Sequence, residues 1–244
     1  MYRELVPPPE AATHVACAWS LRAGGGPVLP DGVADVVLAA GRLTVVGPAT
    51  GVIAPGLAPG EAVLGVRFRV GAAGAALGVP ADELRDRAIP ASELWGRDWQ
   101  DHTLANVEAH ADPLAALLAA VSGRVRGATF DRAVRAGALA TARGARVSAL
   151  AGDLGLSERQ LRRRFAAAVG YGPKTLARVL RLQRFLTLAA RGERDLARLA
   201  LDAGYADQPH LGNDCRRLTG RTPGELLAAG AGPAGEPAVL SHRD

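Results

Sequence analysis

The residues in this chain best equipped for chemistry are arginines, and the chemistry is recognition. Ser157 to Phe165 reads Ser-Glu-Arg-Gln-Leu-Arg-Arg-Arg-Phe. Leu161 and Phe165 lie four apart, so a helix puts them on one face. Arg159, Arg162, Arg163 and Ala166 follow the i, i+3, i+4, i+7 rule on the other. A guanidinium offers paired donors that fit O6 and N7 of guanine, and each good pair discriminates between bases by about 1–3 kcal/mol.

The elements that must position these arginines are also written locally. A short helix is predicted from near Ser148, burying Leu150, Ala151 and Leu154. It stops at Gly155, which takes the left-handed conformation cheaply. A second helix starts at Ser157, where Ser157 and Gln160 have the N-cap and N3 spacing of a capping box. The result is a helix-turn-helix with a small, arginine-rich outward face suited to a DNA major groove. An arginine face alone is commonly just a solvated face, but this pattern occurs twice. Ala151-x-x-x-Gly155 recurs as Ala200-x-x-x-Gly204, Leu161 recurs as Leu211 after one extra turn residue, and Gly170-x-x-Pro173 recurs as Gly220-x-x-Pro223. Self-similarity on that scale points to a duplicated supersecondary unit.

Leu150 to Pro223 resembles the DNA-binding domain of the AraC/XylS family of bacterial transcription regulators, through LSERQLRRRFAAAVGYGPK and LALDAGYADQPHLGNDCRRLTGRTPGEL. That resemblance implies two helix-turn-helix units joined by a long helix and seated in successive major grooves on one side of the duplex. It places Arg159, Arg162 and Arg163 where first-unit base contacts are made. The second unit departs from the family pattern, with Asn213 at a commonly basic position and Cys215 where a large apolar anchor such as Phe is usual. Gln208, His210 and Asn213 are its candidate readers, with Pro209 opening the helix and Gly212 expected to interrupt it. Ser157, Arg164, Lys174, Arg216, Arg217 and Arg221 are the candidate phosphate contacts, which carry affinity but no sequence information. Arg164 points nearer the core and alternatively meets an acidic partner. Upstream, VLPDGVADVVL, VLGVRFRV and ELWG look like the poorly characterised sensory domain found in one branch of that family.

Charge divides the same way. Residues 1–130 carry a balance of −3, residues 131–224 of +10 and the tail from Glu225 of −2. A positive balance confined to the repeat is the footprint of a polyanion binder. Twenty-eight of the 29 basic residues are arginines, the exception being Lys174, so no single arginine is informative alone.

The 244 residues, 48% hydrophobic, suffice for two domains with cores of their own. The fold class expected is α+β. A small β-barrel or sandwich, cupin-like, with linker helices occupies residues 1–127, and an all-α DNA-binding domain of about seven helices occupies 128–228. A disordered tail follows over 229–244. After an extended lead-in over 1–11, candidate strands are His14–Leu21, Val33–Ala39, Leu43–Val46, Gly51–Ala54 and Val63–Val70, broken by Gly/Pro turns. Ala81–Ala88 reads as a short helix, and 98–142 as two or three Ala/Leu-rich helices. Asp112-Pro113 caps one of these, and its stripe Leu114, Leu117, Leu118 and Val121 reads as core rather than a dimer contact. Trp95 and Trp99 should seal a seam between domain and linker. Asp131 to Ala142 should open the DNA-binding domain, Pro173 a helix to about Ala189 with Lys174 at its phosphate-ready N-terminus, and Thr222-Pro223-x-Glu225 a short final helix.

The expected partners are double-stranded promoter DNA, RNA polymerase and a small-molecule effector, with a homodimer possible and no membrane. The expected location is cytoplasmic, since no run of 18 apolar residues and no basic-then-apolar leader exists. No cofactor, metal or catalytic site is expected. Two rivals stand beside this reading. The N-terminal domain could be a DNA-recruited enzyme or a thiol or metal sensor built on His14, Cys17 and Trp19, although no second His/Cys cluster lies near them. Alternatively, the basic half could bind nucleic acid without sequence preference. Asp31, Asp35, Arg67 and Arg69 could line a pocket or equally decorate a surface strand.

Overall fold

The structure, a computed structural model, describes residues 2–24, 26–142 and 151–230. The predicted helix start at Ser148, the burial of Leu150 and most of the predicted tail lie outside these residues. The N-terminal half is built on one antiparallel sheet. Its strands are β1 (Arg3–Leu5), β2 (Val15–Arg22), β3 (Asp35–Ala39), β4 (Arg42–Val46), β5 (Ala62–Phe68) and β6 (Ala88–Pro90), in the order β1-β2-β5-β3-β4-β6. Strand alternation gives the sheet two different faces. Ala18 pairs with Val66, and Val66 with Val36, on the apolar face. Cys17 pairs with Arg67, and Arg67 with Asp35, on the polar one.

Helices cover the apolar face. They are α1 (Ala73–Leu77), α2 (Ala91–Trp95), α3 (Arg97–Ala109) and α4 (Pro113–Val125). Asp112 caps α4 by accepting from Ala115 N, with Pro113 in the first turn. The stripe Leu114, Leu117, Leu118 and Val121 is buried in one cluster with Val15, Ala18, Val66 and Phe68, so it is core. Trp95 meets Trp99 edge to face at 4.6 Å, with the Arg124 guanidinium over the Trp95 ring.

Three local expectations are corrected. Ala81–Ala88 is a 3-10 turn over Ala81–Glu83 followed by β6, because the open edge of β4 recruits Ile89 opposite Val45 and a helix would forfeit that pairing. Gly51–Ala54 supplies only an isolated bridge, Ile53 to Val28. The lead-in contributes β1, which pairs with β2.

The C-terminal half is helical: α5 (Arg132–Ala142), a helical turn at 151–153, α6 (Glu158–Val169), α7 (Pro173–Ala190), α8 (Leu196–Ala203), α9 (Gln208–Thr219) and α10 (Pro223–Ala228). The long α7 is its axis, burying Leu176, Val179, Leu182, Phe185, Leu186 and Ala189 along one side. Thr222 and Glu225 form the capping box that opens α10. Leu29, Val33 and Val70 from the sheet half complete this second core, packing with Tyr171, Leu176 and Val179. The two halves therefore share buried apolar surface. Among the described residues no helix is long and apolar enough to cross a membrane.

Candidate nucleic-acid interface

The duplication is visible at the level of single hydrogen bonds. In the first turn Gly155 N donates to Gly152 O and Leu156 N to Ala151 O, at 3.0 and 2.9 Å. In the second, Gly204 N donates to Leu201 O and Tyr205 N to Ala200 O, again at 3.0 and 2.9 Å. Gly155 and Gly204 both take positive φ, +62° and +90°, a region costly for a residue with a Cβ. Each turn then feeds a capped helix. Ser157 accepts from Gln160 N while the Gln160 side chain accepts from Ser157 N, and Asp207 accepts from His210 N. Ala206 is the extra residue, and its N–H is taken up by His210 Nδ1 at 3.4 Å.

In the first unit Leu161, Phe165 and Val169 are buried, and Arg159, Arg162 and Arg163 are exposed on the opposite side of α6. Burying a side chain of this size is worth about 1.5–3 kcal/mol, so the buried face fixes which way the arginines point. Among the described residues Arg159 and Arg163 have no ion-pair partner, and Arg162 has only a weak pair with exposed Glu158 at 3.4 Å. Arg164 turns aside to Asp131, 3.4 Å away, whose carboxylate also caps α5. Lys174 is exposed in the first turn of α7, and Ser157 stands exposed in its capping box.

The second unit presents less. Gln208 and Asn213 are exposed on α9, and Arg216, Arg217 and Arg221 are exposed around its C-terminal end. His210 is half-buried, with Nδ1 toward Ala206 N and Nε2 3.8 Å from Asp214. Gly212 does not interrupt the helix. It is buried within a continuous α9, and a Cβ there would stand 3.6 Å from Arg216 Nη1, so the guanidinium of the next turn lies over it. Cys215, the expected weak anchor, is fully buried and burial pushes its thiol up to about 12.

Sequence reasoning missed Asp214 and the side chains around it. Arg181 Nη2 donates to Asp214 Oδ2 at 3.0 Å, and Arg178 Nε lies 3.5 Å from Oδ1. The available signal was an acid between Leu211 and Leu218, on the inward face of an otherwise basic helix.

The sheet half grips the first unit directly. A Cβ on Gly74 would stand 2.2 Å from Ala167 O, so only glycine permits this approach of α1 to α6. Arg85 Nη1 reaches Gly170 O at 3.4 Å, and Gln183 Nε2 of α7 donates to Pro30 O at 2.6 Å. Asp31, in the loop next to Pro30, pairs with Arg67 at 3.0 Å, and Arg67 Nε donates to Asp35 at 3.1 Å. Trp19 Nε1 donates to the same Asp35 oxygen. These residues are thus a largely buried, paired network rather than surface decoration. Arg69 spends its Nε on Ala12 O.

The proposed sensor face does not assemble. A bulge between Val15 and Cys17 breaks the alternation, sending His14 toward Phe130 and leaving Cys17 opposite Arg67. Burial and nearby Glu4 push the Cys17 thiol up to about 12, the reverse of an activated thiolate. Among the described residues no group of three or more His, Cys, Asp or Glu side chains could hold a metal ion.

Comparison with known proteins follows the same division. Residues 150–229 match a helix-turn-helix domain family, and residues 3–90 match a domain of unknown function (DUF6597). No curated protein matches the chain. Crystal structures of ToxT from Vibrio cholerae are similar at low identity. One shares 11% identity over 84% of this chain and 88% of that one, with a TM-score of 0.44. A second, at 1.65 Å resolution, shares 10% over 95% and 98%, with a TM-score of 0.39. The chain thus carries a helix-turn-helix domain over residues 150–229, built as two capped units behind a β-sheet domain.

Proposed function

We propose that the chain is a sequence-specific DNA-binding transcription regulator of the AraC/XylS type that places α6 and α9 in successive major grooves on one side of the duplex and responds to a small-molecule effector through residues 1–127. The observation that carries the reading is the pair of equivalent turns, each delivering a capped helix with exposed polar side chains. Base reading falls to Arg159, Arg162 and Arg163 in the first unit and to Gln208 and Asn213 in the second. His210 would have to release its present contacts to join them. Ser157, Arg164, Lys174, Arg216, Arg217 and Arg221 grip phosphate, Arg164 by exchanging Asp131 for it. Gly127, with φ +80°, is the boundary between the two domains in this proposal.

Effector response is supported by the contacts at Gly74, Arg85 and Pro30, which tie the sheet half to both α6 and α7. An effector acts only through different affinities for DNA-competent and incompetent arrangements of those contacts. RNA polymerase is the expected second partner, with activation the expected outcome.

The test is selection of bound DNA from a random pool by the full chain at moderate salt. Two half-sites about one helical turn, 10–10.5 bp, apart support the reading. Binding that no specific motif survives, with equal loss to any competitor DNA, would replace it with a non-specific binder. The full chain is required, because Leu29, Val33 and Val70 complete the core beside Tyr171 and Leu176.

A further inference from the structure

We infer that Asp214 is the positioning residue of the second unit, fixing the pose of α9 on α7 and holding His210 out of the groove. The inference rests on the reading above, that α9 enters DNA. Its basis is a closed ring of side chains from three elements. Asp214 Oδ2 accepts from Arg181 Nη2 at 3.0 Å. The Arg181 guanidinium lies over the Tyr205 ring, 5.1 Å from its centroid. Tyr205 meets the His210 ring edge to face at 5.2 Å, and His210 Nε2 returns to Asp214 Oδ2 at 3.8 Å. Arg178 adds a second cation from α7 at 3.5 Å.

Each member is oriented by something else. Asp214 lies on the buried side of α9, its side chain only 8% exposed, at a position where an apolar residue is the default. A carboxylate there persists because it is paired, and removing its partners leaves an uncompensated buried charge. The Arg181 stem packs against the turn at Gly204, its Cδ standing in van der Waals range, 3.7 Å, of a Cβ at that position. His210 Nδ1 accepts from Ala206 N, so the neutral ring carries its proton on Nε2, facing Asp214. Nδ1 is thereby occupied and Nε2 faces the Asp214 carboxylate across 3.8 Å, which leaves Gln208 and Asn213 as the readers.

The first unit supports the assignment by inversion. In the fifty-residue register that relates Leu161 to Leu211, Asp214 corresponds to Arg164, which pairs with Asp131 on the scaffold side. Without DNA, each reading helix is fastened at the same position, by opposite charges. The first fastening is 43% and 34% exposed, whereas the second holds a carboxylate only 8% exposed and pairs it twice.

The experiment uses the full chain and the selected operator. Affinity is measured for operators substituted in one half-site at a time, with amide hydrogen exchange of residues 205–219 followed without DNA. For Asp214→Asn, discrimination in the second half-site should fall at least 10-fold while that in the first changes less than 2-fold, and α9 should exchange faster. The charge swap Arg181→Asp with Asp214→Arg should restore part of both. Should Asp214→Asn fail to fold, Arg181→Gln takes its place with the same expected pattern. Unchanged second-half-site discrimination and exchange would overturn the inference, as would equal losses in both half-sites, which mark a merely structural role. A wild-type chain with no half-site preference would instead sink the DNA reading, and the exchange data would still decide whether Asp214 holds α9.

Discussion

The two helix-turn-helix units share a backbone plan and differ in where their charge goes. Register by register, Arg159, Arg162, Arg163 and Phe165 of the first unit stand against Pro209, Gly212, Asn213 and Cys215 of the second. The first unit turns three arginines outward and relies on a large aromatic anchor and on the sheet half for rigidity. The second has a small anchor and, among the described residues, no sheet contact of that kind, and draws arginines from α7 inward around Asp214. A helix that reads DNA, as proposed for α6 and α9, needs both an exposed reader and a fixed pose. The two units meet those needs from different sources, one from apolar packing and the other from a buried ion-pair cluster.

The largest expected effect tests the anchors. Phe165→Ala should lower unfolding stability in urea by about 3–5 kcal/mol, since the ring is fully buried and leaves a cavity. Cys215→Ala should cost about 1 kcal/mol, the ordinary cost of a small deletion. Equal costs would mean that the second unit leans on its anchor as heavily as the first.

Next comes the division of reading. Arg162→Ala should relax base choice in the first half-site by about 1–3 kcal/mol, while Asn213→Ala should cost less in the second. Selection from a random pool with each variant measures both, and equal losses would erase the asymmetry. Arg216→Ala should weaken binding about equally across sequences and reduce the salt slope by about 1, as a phosphate contact does.

The smallest effect concerns the support of the first unit by the sheet half. Burial pushes the Asp31 carboxyl up to about 6, against the pull of Arg67 and with the push of Asp35. A carboxyl raised above its ordinary 3.8 binds its proton more tightly in the folded chain, so its contribution is fully present below pH 3.8 and is lost as pH rises through about 6. Relative to Asp31→Asn, the wild type should therefore lose stability between pH 4 and pH 6.5. Unfolding at the two pH values measures this, and a parallel response of wild type and variant would show that Asp31 is not the titrating group.

Much of the candidate interface was legible because it is local. Capping boxes at Ser157 and Thr222, turn glycines and the outward arginines depend on residues within one or two turns of each other, and periodicity reports them. The N-terminal strands β2 to β5 were legible from alternation for the same reason. β1 and β6 were not, because three-residue edge strands form only when a neighbour offers unpaired backbone. Nor was the bulge in β2, which sent His14 and Cys17 to different surroundings. Gly212 was misread because helix propensity counts its entropic cost of about 1 kcal/mol but not the packing of α9 that outweighs it.

By itself the sequence determined the duplicated unit, the outward arginine face and the charge division of the chain, because each is carried by spacing along the backbone. Only the tertiary structure decided which charges remain available. Arg164 and Asp131 are separated by 33 residues, as are Arg181 and Asp214, and Asp31 and Arg67 by 36. Whether such charges meet each other or DNA depends on how helices and sheet pack, since an ion pair between distant residues exists only after the apolar faces have closed.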